Sequence, residues 1–187
     1  MTFRRAVFGL CLGLMGQASA GTLVVIGGAL EPGNEAVYRE VVAATQGPVC
    51  VLGTAGEDPA GSAADYVADF RGYGRRAVAV DVTVENAAQS TRDPENVAQL
   101  ARCGSFFFVG GDQRRITEAW LSGGEDTPAL AALRERFAAG ATVAGTSAGA
   151  AMMSRVMITG GSSLDTLVGG EDAVTAAPGL AFRDNVI

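Results

Sequence analysis

The sequence predicts an α/β fold in which a doubly wound, mainly parallel sheet lies between two layers of helices. Two observations predict this three-layer arrangement. Five short apolar runs alternate with helix-like segments. Most of these runs are continuously apolar and do not alternate with polar residues, which is typical of parallel strands buried on both faces. The predicted strands cover residues 23–26, 49–52, 77–84, 106–109 and 142–144.

Helix signals separate these strands. Asn34 is the predicted N-cap of a helix over residues 34–44, and Asp58 caps a second helix that has Pro59 at its first position. The helix that Asp58 caps is predicted to cover residues 59–70. Three further helices are predicted over residues 94–101, 113–121 and 128–138. No repeat or linker divides the chain, so residues 21–187 are predicted to form one domain.

Residues 1–20 are predicted to be a signal peptide. A short basic region precedes an apolar run of eleven residues, and Ala18-Ser19-Ala20 forms a cleavage site. The apolar run is shorter than the about 20 residues that span a bilayer. We therefore expect cleavage after Ala20, a secreted or periplasmic protein, and no membrane attachment after cleavage.

The composition excludes several kinds of chemistry. The sequence has no histidine, and all 14 of its basic residues are arginine. This rules out a P-loop lysine, a Schiff-base lysine and a histidine metal site. The formal net charge of −6 argues against a nucleic-acid partner. No cofactor and no metal are predicted, since only scattered acids and two cysteines remain as ligands once the signal peptide is removed.

Those two cysteines are Cys50 and Cys103. An oxidising compartment would permit a disulfide between them. Both lie beside apolar runs, where a buried thiol is the simpler interpretation, and the sequence leaves their pairing open.

Three loops rich in glycine or small residues follow predicted strands. They begin at Gly27, Gly110 and Gly145. In a parallel α/β sheet, ligands bind where loops leave the carboxyl ends of the strands. The sequence therefore predicts the position of a site before its chemistry. The loop at Gly27 does not continue as a dinucleotide-binding fingerprint.

The third loop has the pattern of a nucleophile elbow. Gly145-x-Ser147-x-Gly149 lies between a predicted strand and a helix start, where small neighbours let the chain turn sharply and expose the serine. The backbone N–H of Ala148, with help from the helix dipole, would face a tetrahedral oxyanion. The alternative is that Ser147 only caps the helix.

The second loop contains Gly110-Gly111-Asp112-Gln113 after a buried strand. The two glycines allow a backbone N–H to face a ligand, and Asp112 or Gln113 would then bind a polar or cationic group. The alternative is that Asp112 is a helix N-cap and that the following arginines are solvated.

These residues resemble a known family. The segments FVGGDQRRIT at 108–117 and AGTSAGAAMMS at 144–154 are similar to the cyanophycinase-type serine peptidases, relatives of the bacterial aspartyl dipeptidases. LVVIGGALEP and MITGG extend the resemblance to most of the chain after the signal peptide. It implies that Ser147 is the nucleophile and that Ala148 and one of Gly110 and Gly111 supply oxyanion N–H groups.

The resemblance also implies a substrate and its contacts. Asp112, Gln113 and Arg115 would line or support the substrate site. The implied activity is that of an exopeptidase that cleaves peptide bonds at β-linked aspartyl residues, turning cyanophycin into β-Asp-Arg dipeptides. The implied partner is therefore a peptide, and relatives of this kind are often dimers, so a homodimer is also an expectation.

One part of the family pattern is absent. The family's catalytic histidine follows a stretch that resembles residues 177–182, and this sequence ends at position 187 without it. We therefore expect a C-terminally truncated hydrolase that is inactive by itself and poorly soluble because a strand edge is exposed. Four carboxylates could in principle accept a proton, but each is more simply a cap or loop residue: Glu57, Asp58, Asp165 and Asp172.

Two other functions are compatible with these patterns. One is another elbow-type serine esterase or amidase, which leaves the GGDQ segment unexplained. The other is a non-catalytic protein that binds arginine-rich or β-aspartyl peptides.

Overall fold

The computed structural model describes residues 21–161, 163–169 and 173–183. The predicted signal peptide and its cleavage site lie outside these residues. The strands are β1 (Thr22–Ile26), β2 (Val49–Leu52), β3 (Ala77–Val80), β4 (Ser105–Phe108), β5 (Leu121–Ser122), β6 (Glu125–Asp126), β7 (Thr142–Thr146), β8 (Val156–Gly160) and β9 (Thr175–Pro178).

A five-stranded parallel sheet forms the centre of the fold. Its strand order is β1-β7-β4-β2-β3, and each of the five predicted apolar runs contributes one strand. β7 pairs with β1 on one side, where Ile26 lies opposite Thr146, and with β4 on the other, where Phe108 lies opposite Gly145. The predicted α/β class is therefore confirmed, and the predicted elbow follows the fifth strand of this sheet.

The helices flank the sheet, and the predicted N-caps form. Asn34 accepts a hydrogen bond from the N–H of Val37, and Asp58 accepts one from the N–H of Gly61. The helices are α1 (Glu35–Ala44), α2 (Pro59–Gly72), α3 (Ala87–Ser90), α4 (Pro94–Leu100), α5 (Gln113–Trp120), α6 (Pro128–Ala138), α7 (Ala148–Ala151) and α8 (Ser163–Gly169).

Strand β4 shows how both faces of the sheet are buried. Phe106 and Phe108 pack in one apolar cluster with Trp120, whereas Phe107 packs in a second cluster with Phe70. Successive side chains of a strand point to opposite faces. The continuous apolar run therefore contributes to two cores, one under each helical layer.

The predicted strand over residues 77–84 is too long, because β3 ends at Val80. The N–H of Val82 donates to the carbonyl of Val80 at 3.1 Å, which turns the chain out of the sheet. Thr83 and Asn86 then exchange side-chain-to-backbone hydrogen bonds that lead into α3. Such local bonds compete with strand pairing. Helices α3 and α8 and the antiparallel strand pairs β5-β6 and β8-β9 were not predicted.

Cys50 and Cys103 form a disulfide, with their Cα atoms 5.9 Å apart. The simpler interpretation of two buried thiols is therefore wrong. The bond ties β2 to the residue two positions before β4, across neighbouring strands of the sheet.

Strand β1 is at the edge of the sheet. Among the described residues it pairs only with β7, and the side chain of Val25 is 48% exposed. None of the helices in the described part of the chain combines the length and the apolar character that a membrane span needs.

Candidate active site

Ser147 lies on a strained turn between β7 and α7. Its backbone has φ 52° and ψ −115°, in a region that residues other than glycine rarely adopt. The residue is exposed, although the five residues before it and the three after it are buried. A sharp strand-to-helix turn that lifts a serine to the sheet edge is the geometry of a nucleophile elbow.

The glycines of this turn are required by its packing. A Cβ on Gly145 would lie 2.3 Å from the carbonyl oxygen of Gly149, and a Cβ on Gly149 would lie 2.1 Å from that of Phe108. Both distances are far below van der Waals contact. The turn therefore packs backbone against backbone, which explains the residue types on either side of Ser147.

The backbone N–H groups around Ser147 differ in whether they have a hydrogen-bond acceptor. The N–H of Ser147 donates to the carbonyl of Ile26 at 3.1 Å, and the carbonyl of Ser147 accepts from Ala150 and Ala151. The N–H of Ala148 has no acceptor among the described residues, although Ala148 is only 2% exposed. Buried amides of this kind are rare. Because α7 has only four residues, about one turn, the contribution of a helix dipole at this N–H group is small.

The Gly110-Gly111 turn brings a second pair of amides to the same edge. Val109 donates its N–H to Leu52, and Asp112 donates its N–H to Ala55 at 2.9 Å. The two amides between them have no acceptor in the described part of the chain.

The two glycines of this turn face different neighbours. A Cβ on Gly110 would lie 3.3 Å from the Cβ of Ser147. Gly111 has φ 139°, and a Cβ there would lie 2.0 Å from the Ala55 oxygen. Gly110 therefore lies beside the serine, whereas Gly111 fixes the turn against the β2 loop.

The loop after β1 completes the surroundings of Ser147. A Cβ on Gly28 would lie 3.7 Å from the Cβ of Ser147 and 3.8 Å from its Oγ. The sequence predicts this loop at the carboxyl edge of the sheet but assigns no function to Gly28. The available signal was two glycines directly after a buried strand.

Asp112 is the N-cap of α5, as the alternative predicted. The solvated arginines of that alternative are found for Arg114 but not for Arg115, whose side chain is only 30% exposed. The carboxylate of Asp112 accepts a hydrogen bond from the N–H of Arg114 at 2.9 Å and forms an ion pair with the Arg114 side chain at 2.6 Å. The Arg114 side-chain hydrogen bond holds the pKa of Asp112 below its usual range, and the same pair raises the pKa of Arg114.

The other two predicted substrate contacts also have protein partners. Gln113 donates its side-chain amide to the carbonyl of Ile158 at 2.5 Å. Arg115 donates to the carbonyl of Thr54 at 3.4 Å and pairs with Glu85 at 3.1 Å. Hydrogen bonds from its own backbone N–H and from Thr83 lower the pKa of Glu85, and Arg115 adds to this effect. These contacts join α5 to its neighbours.

A cleft of about 390 Å³ brings Asp112, Gln113 and Arg115 together with Gly111 and the carboxylate of Glu57. Ser147 does not line this cleft, but Gly110, which lies beside Ser147, directly precedes Gly111 of the lining. A cleft of about 610 Å³ at the opposite, amino end of the strands is lined by none of the predicted site residues.

The four carboxylates considered as proton acceptors are placed as follows. Asp58 is the N-cap of α2, and Glu57 is exposed in the cleft. The side chain of Asp165 and the whole of Asp172 lie outside the described residues. No group of three or more possible metal ligands occurs among the residues that the structure describes.

An exposed serine on a strained turn, at the carboxyl edge of a parallel sheet, is the arrangement of the α/β serine hydrolases. The sequence model of peptidase family S51 matches residues 23–177 of this chain. The chain belongs to this peptidase family.

Curated relatives support the assignment. The chain is 33% identical over 177 residues to a cyanophycinase from Nostoc sp. and, at the same identity, to one from Trichormus variabilis; each match covers 91% of this chain and 56% of the relative. A cyanophycinase from Geminocystis herdmanii is 32% identical over 154 residues, which cover 80% of this chain and 54% of the relative. The chain thus spans about half the length of these relatives.

Solved structures share the fold. A peptidase from an acI-B1 actinobacterium matches with a TM-score of 0.67 at 17% identity, covering 90% of this chain and 67% of its own. A Listeria monocytogenes protein assigned as peptidase E matches with a TM-score of 0.60 at 16% identity, covering 89% of this chain and 77% of its own.

Proposed function

We propose that this protein is a serine exopeptidase of the cyanophycinase type that cleaves peptide bonds at β-linked aspartyl residues, with Ser147 as its nucleophile. One observation carries the proposal. Ser147 is exposed on a strained turn, and amides without acceptors among the described residues lie at Ala148 and at the Gly110-Gly111 turn. Strain and unpaired amides together are typical of a site that stabilises a reacting oxygen.

The chemistry follows from these groups. Ser147 Oγ attacks the scissile carbonyl carbon and loses its proton to a base. The carbonyl oxygen becomes an oxyanion, which the N–H of Ala148 and that of Gly110 or Gly111 stabilise. The amine then leaves with a proton, and water releases the acyl group from the serine. Removing one such oxyanion donor typically slows a serine hydrolase by about 10²–10³-fold.

The 187 residues contain neither histidine nor lysine, and arginine stays protonated. We therefore expect this chain alone to be inactive, and we propose that the complete enzyme takes its base from a histidine encoded after position 187. The exposed carboxylate of Glu57 is the alternative acceptor in the cleft next to Gly111.

The proposed substrate is cyanophycin, and the proposed products are β-Asp-Arg dipeptides. The relatives named as cyanophycinases support this substrate. The net charge of −6 is compatible with an arginine-rich polymer. The disulfide between Cys50 and Cys103 is typical of an oxidising compartment, which supports a secreted or periplasmic location.

The test compares the 187-residue chain with the product of the coding region extended past codon 187. We expect the extended product to react with a fluorophosphonate and to release β-Asp-Arg from cyanophycin. Ser147→Ala should abolish both. Ser122→Ala, which changes an exposed serine at the end of β5, should abolish neither. The 187-residue chain should show no turnover.

Three other outcomes would contradict the proposal. Turnover that persists in Ser147→Ala would exclude this nucleophile. Hydrolysis of simple esters without release of β-Asp-Arg would favour an esterase, and binding of β-Asp-Arg without labelling would favour the non-catalytic binding protein.

A further inference from the structure

Gly28 is a glycine that the fold itself does not require. Seven glycines of the described residues have a positive φ, and Gly28 is not among them. A Cβ on Gly28 would approach only the Cβ and Oγ of Ser147, at 3.7 and 3.8 Å, which is ordinary van der Waals contact. By contrast, Gly111, Gly145 and Gly149 would each place a Cβ within 2.3 Å of a backbone oxygen. Backbone conformation and packing would therefore accept alanine at position 28.

The sheet order explains why this position faces the serine. β7 lies between β1 and β4, and Ser147, Gly28 and Gly110 follow the carboxyl ends of these three strands. The side chain of Ser147 therefore has a glycine from each neighbouring strand beside it. A Cβ on Gly110 would lie 3.9 Å from the Oγ, almost the same distance as one on Gly28.

We propose that Gly28 is a specificity-determining residue, which together with Gly110 leaves a slot over the Ser147 hydroxyl for residues unbranched at Cβ. The inference rests on the proposed function of Ser147 as the nucleophile. A reacting carbonyl carbon must come within about 3–3.5 Å of Oγ. A methyl group fixed 3.8 Å from Oγ would occupy the volume that the substituents of that carbonyl need.

The same reasoning defines the substrate class. The acyl residue must pass the backbone of Gly28 closely, so a branch next to its Cα would collide with the wall of the slot. Aspartyl residues carry a CH₂ group at this position and continue outward, whereas valine, isoleucine and threonine branch there. The slot therefore admits a β-linked aspartyl residue and rejects β-branched residues.

The experiment uses Ser147→Cys in the 187-residue chain. In mildly alkaline buffer a thiol loses its proton to the buffer, and the resulting thiolate is alkylated without a catalytic base in the protein. The reagents 1-bromobutan-2-one and 1-bromo-3-methylbutan-2-one have the same leaving group and the same reacting CH₂ carbon. They differ by one methyl branch two atoms from that carbon, the position that Cβ of an acyl residue would occupy. The rate at position 147 is followed by mass spectrometry of its peptide, which separates it from the other cysteines. Each rate is normalised to that of free cysteine with the same reagent.

The variants are Gly28→Ala and, as the matched control, Gly27→Ala, whose Cβ would have nothing within 4 Å. We expect Gly28→Ala to lower the rate with 1-bromobutan-2-one and to lower the rate with the branched 1-bromo-3-methylbutan-2-one by about tenfold more, the usual effect of one badly placed carbon. Gly27→Ala should leave both rates within about twofold, because its Cβ meets no neighbour.

Equal normalised alkylation rates at position 147 in Gly28→Ala and Gly27→Ala would overturn the proposal. A thermal unfolding midpoint for Gly28→Ala clearly below that of Gly27→Ala would also overturn it, because the glycine would then be structural. Neither result depends on peptidase activity, so failure of the slot and failure of the proposed function are distinguishable.

Discussion

The hydroxyl of Thr146 donates a hydrogen bond of 2.7 Å to the carbonyl oxygen of Gly27, so the last residue of β7 holds the loop that follows β1. Thr146 is 2% exposed. Thr146→Val would leave the carbonyl unpaired and should lower the free energy of unfolding by about 1–3 kcal/mol. Urea unfolding measures the loss, and Thr146→Ser, which keeps the hydroxyl, should retain most of the stability. Equal losses in the two variants would show that the hydrogen bond is unimportant.

Gly149 should tolerate no side chain. Its Cβ would lie 2.1 Å from the carbonyl oxygen of Phe108, and strand backbone cannot move aside easily. Gly149→Ala should therefore lower the free energy of unfolding by about 3 kcal/mol. Gly72→Ala, at a position with nothing within 4 Å, is the control and should cost nothing measurable. Denaturant unfolding compares the two, and a stable Gly149→Ala protein would contradict the packing described for the elbow.

The disulfide should contribute much of the stability. It joins residues 53 positions apart, and constraining an unfolded loop of this length contributes about 4 kcal/mol in the chain-entropy model. Dithiothreitol should therefore shift the urea midpoint strongly downward. The double variant Cys50→Ala/Cys103→Ala should show no such shift. If dithiothreitol left the urea midpoint of the unmutated protein unchanged, this would show that the disulfide does not form.

The ion pair between Asp112 and Arg114 should stabilise the protein only above acidic pH. Because the pKa of Asp112 is lowered on folding, its contribution is present above the ordinary value of 3.8 and is lost as the pH falls through the folded value. Asp112→Asn keeps an N-cap oxygen but removes the charge. At pH 7 it should cost about 0.5 kcal/mol, since the pair is exposed. The difference between the two proteins should disappear well below pH 3.8, and a constant difference would exclude the charge as its cause.

The edge of β1 should promote self-association. An unpaired strand edge with exposed apolar side chains is a template for pairing with another chain. Val25→Lys should therefore lower the sedimentation coefficient at high concentration. Leu167→Lys removes an 84% exposed side chain from α8 and is the control for hydrophobicity alone. An equal effect of both variants would argue against edge pairing.

Local features of the fold were readable from the sequence because single residue types determine them. The caps at Asn34 and Asp58 and the elbow at Ser147 depend on residues within four positions of one another. The end of β3 was missed because Val82 and Val84 continue the apolar pattern, whereas hydrogen bonds at Val82 and Thr83 turn the chain away from the sheet.

The candidate site was predictable only in part, because some of its residues belong to local patterns and others depend on contacts between distant segments. Ser147 and Gly110 lie in recognisable local patterns. The role of Gly28 depends on which strand lies beside β7, and the strand order is set by packing of the whole sheet. The contacts of Gln113 and Arg115 likewise reach β8 and the loop before α3, which no local pattern reveals.

The position of β7 between β1 and β4 also determines when the molecule can assemble. Strand β1 is made first, yet among the described residues its only partner strand is β7, and 116 positions separate Ile26 from Thr142. A ribosome adds residues at roughly 5–20 per second, so β1 waits roughly 6 to 23 s before its partner is synthesised. Strands β2, β3 and β4 can pair with one another during that interval. The three segments around Ser147 therefore meet only late in synthesis. A nascent chain that ends before β7 cannot contain the assembled site.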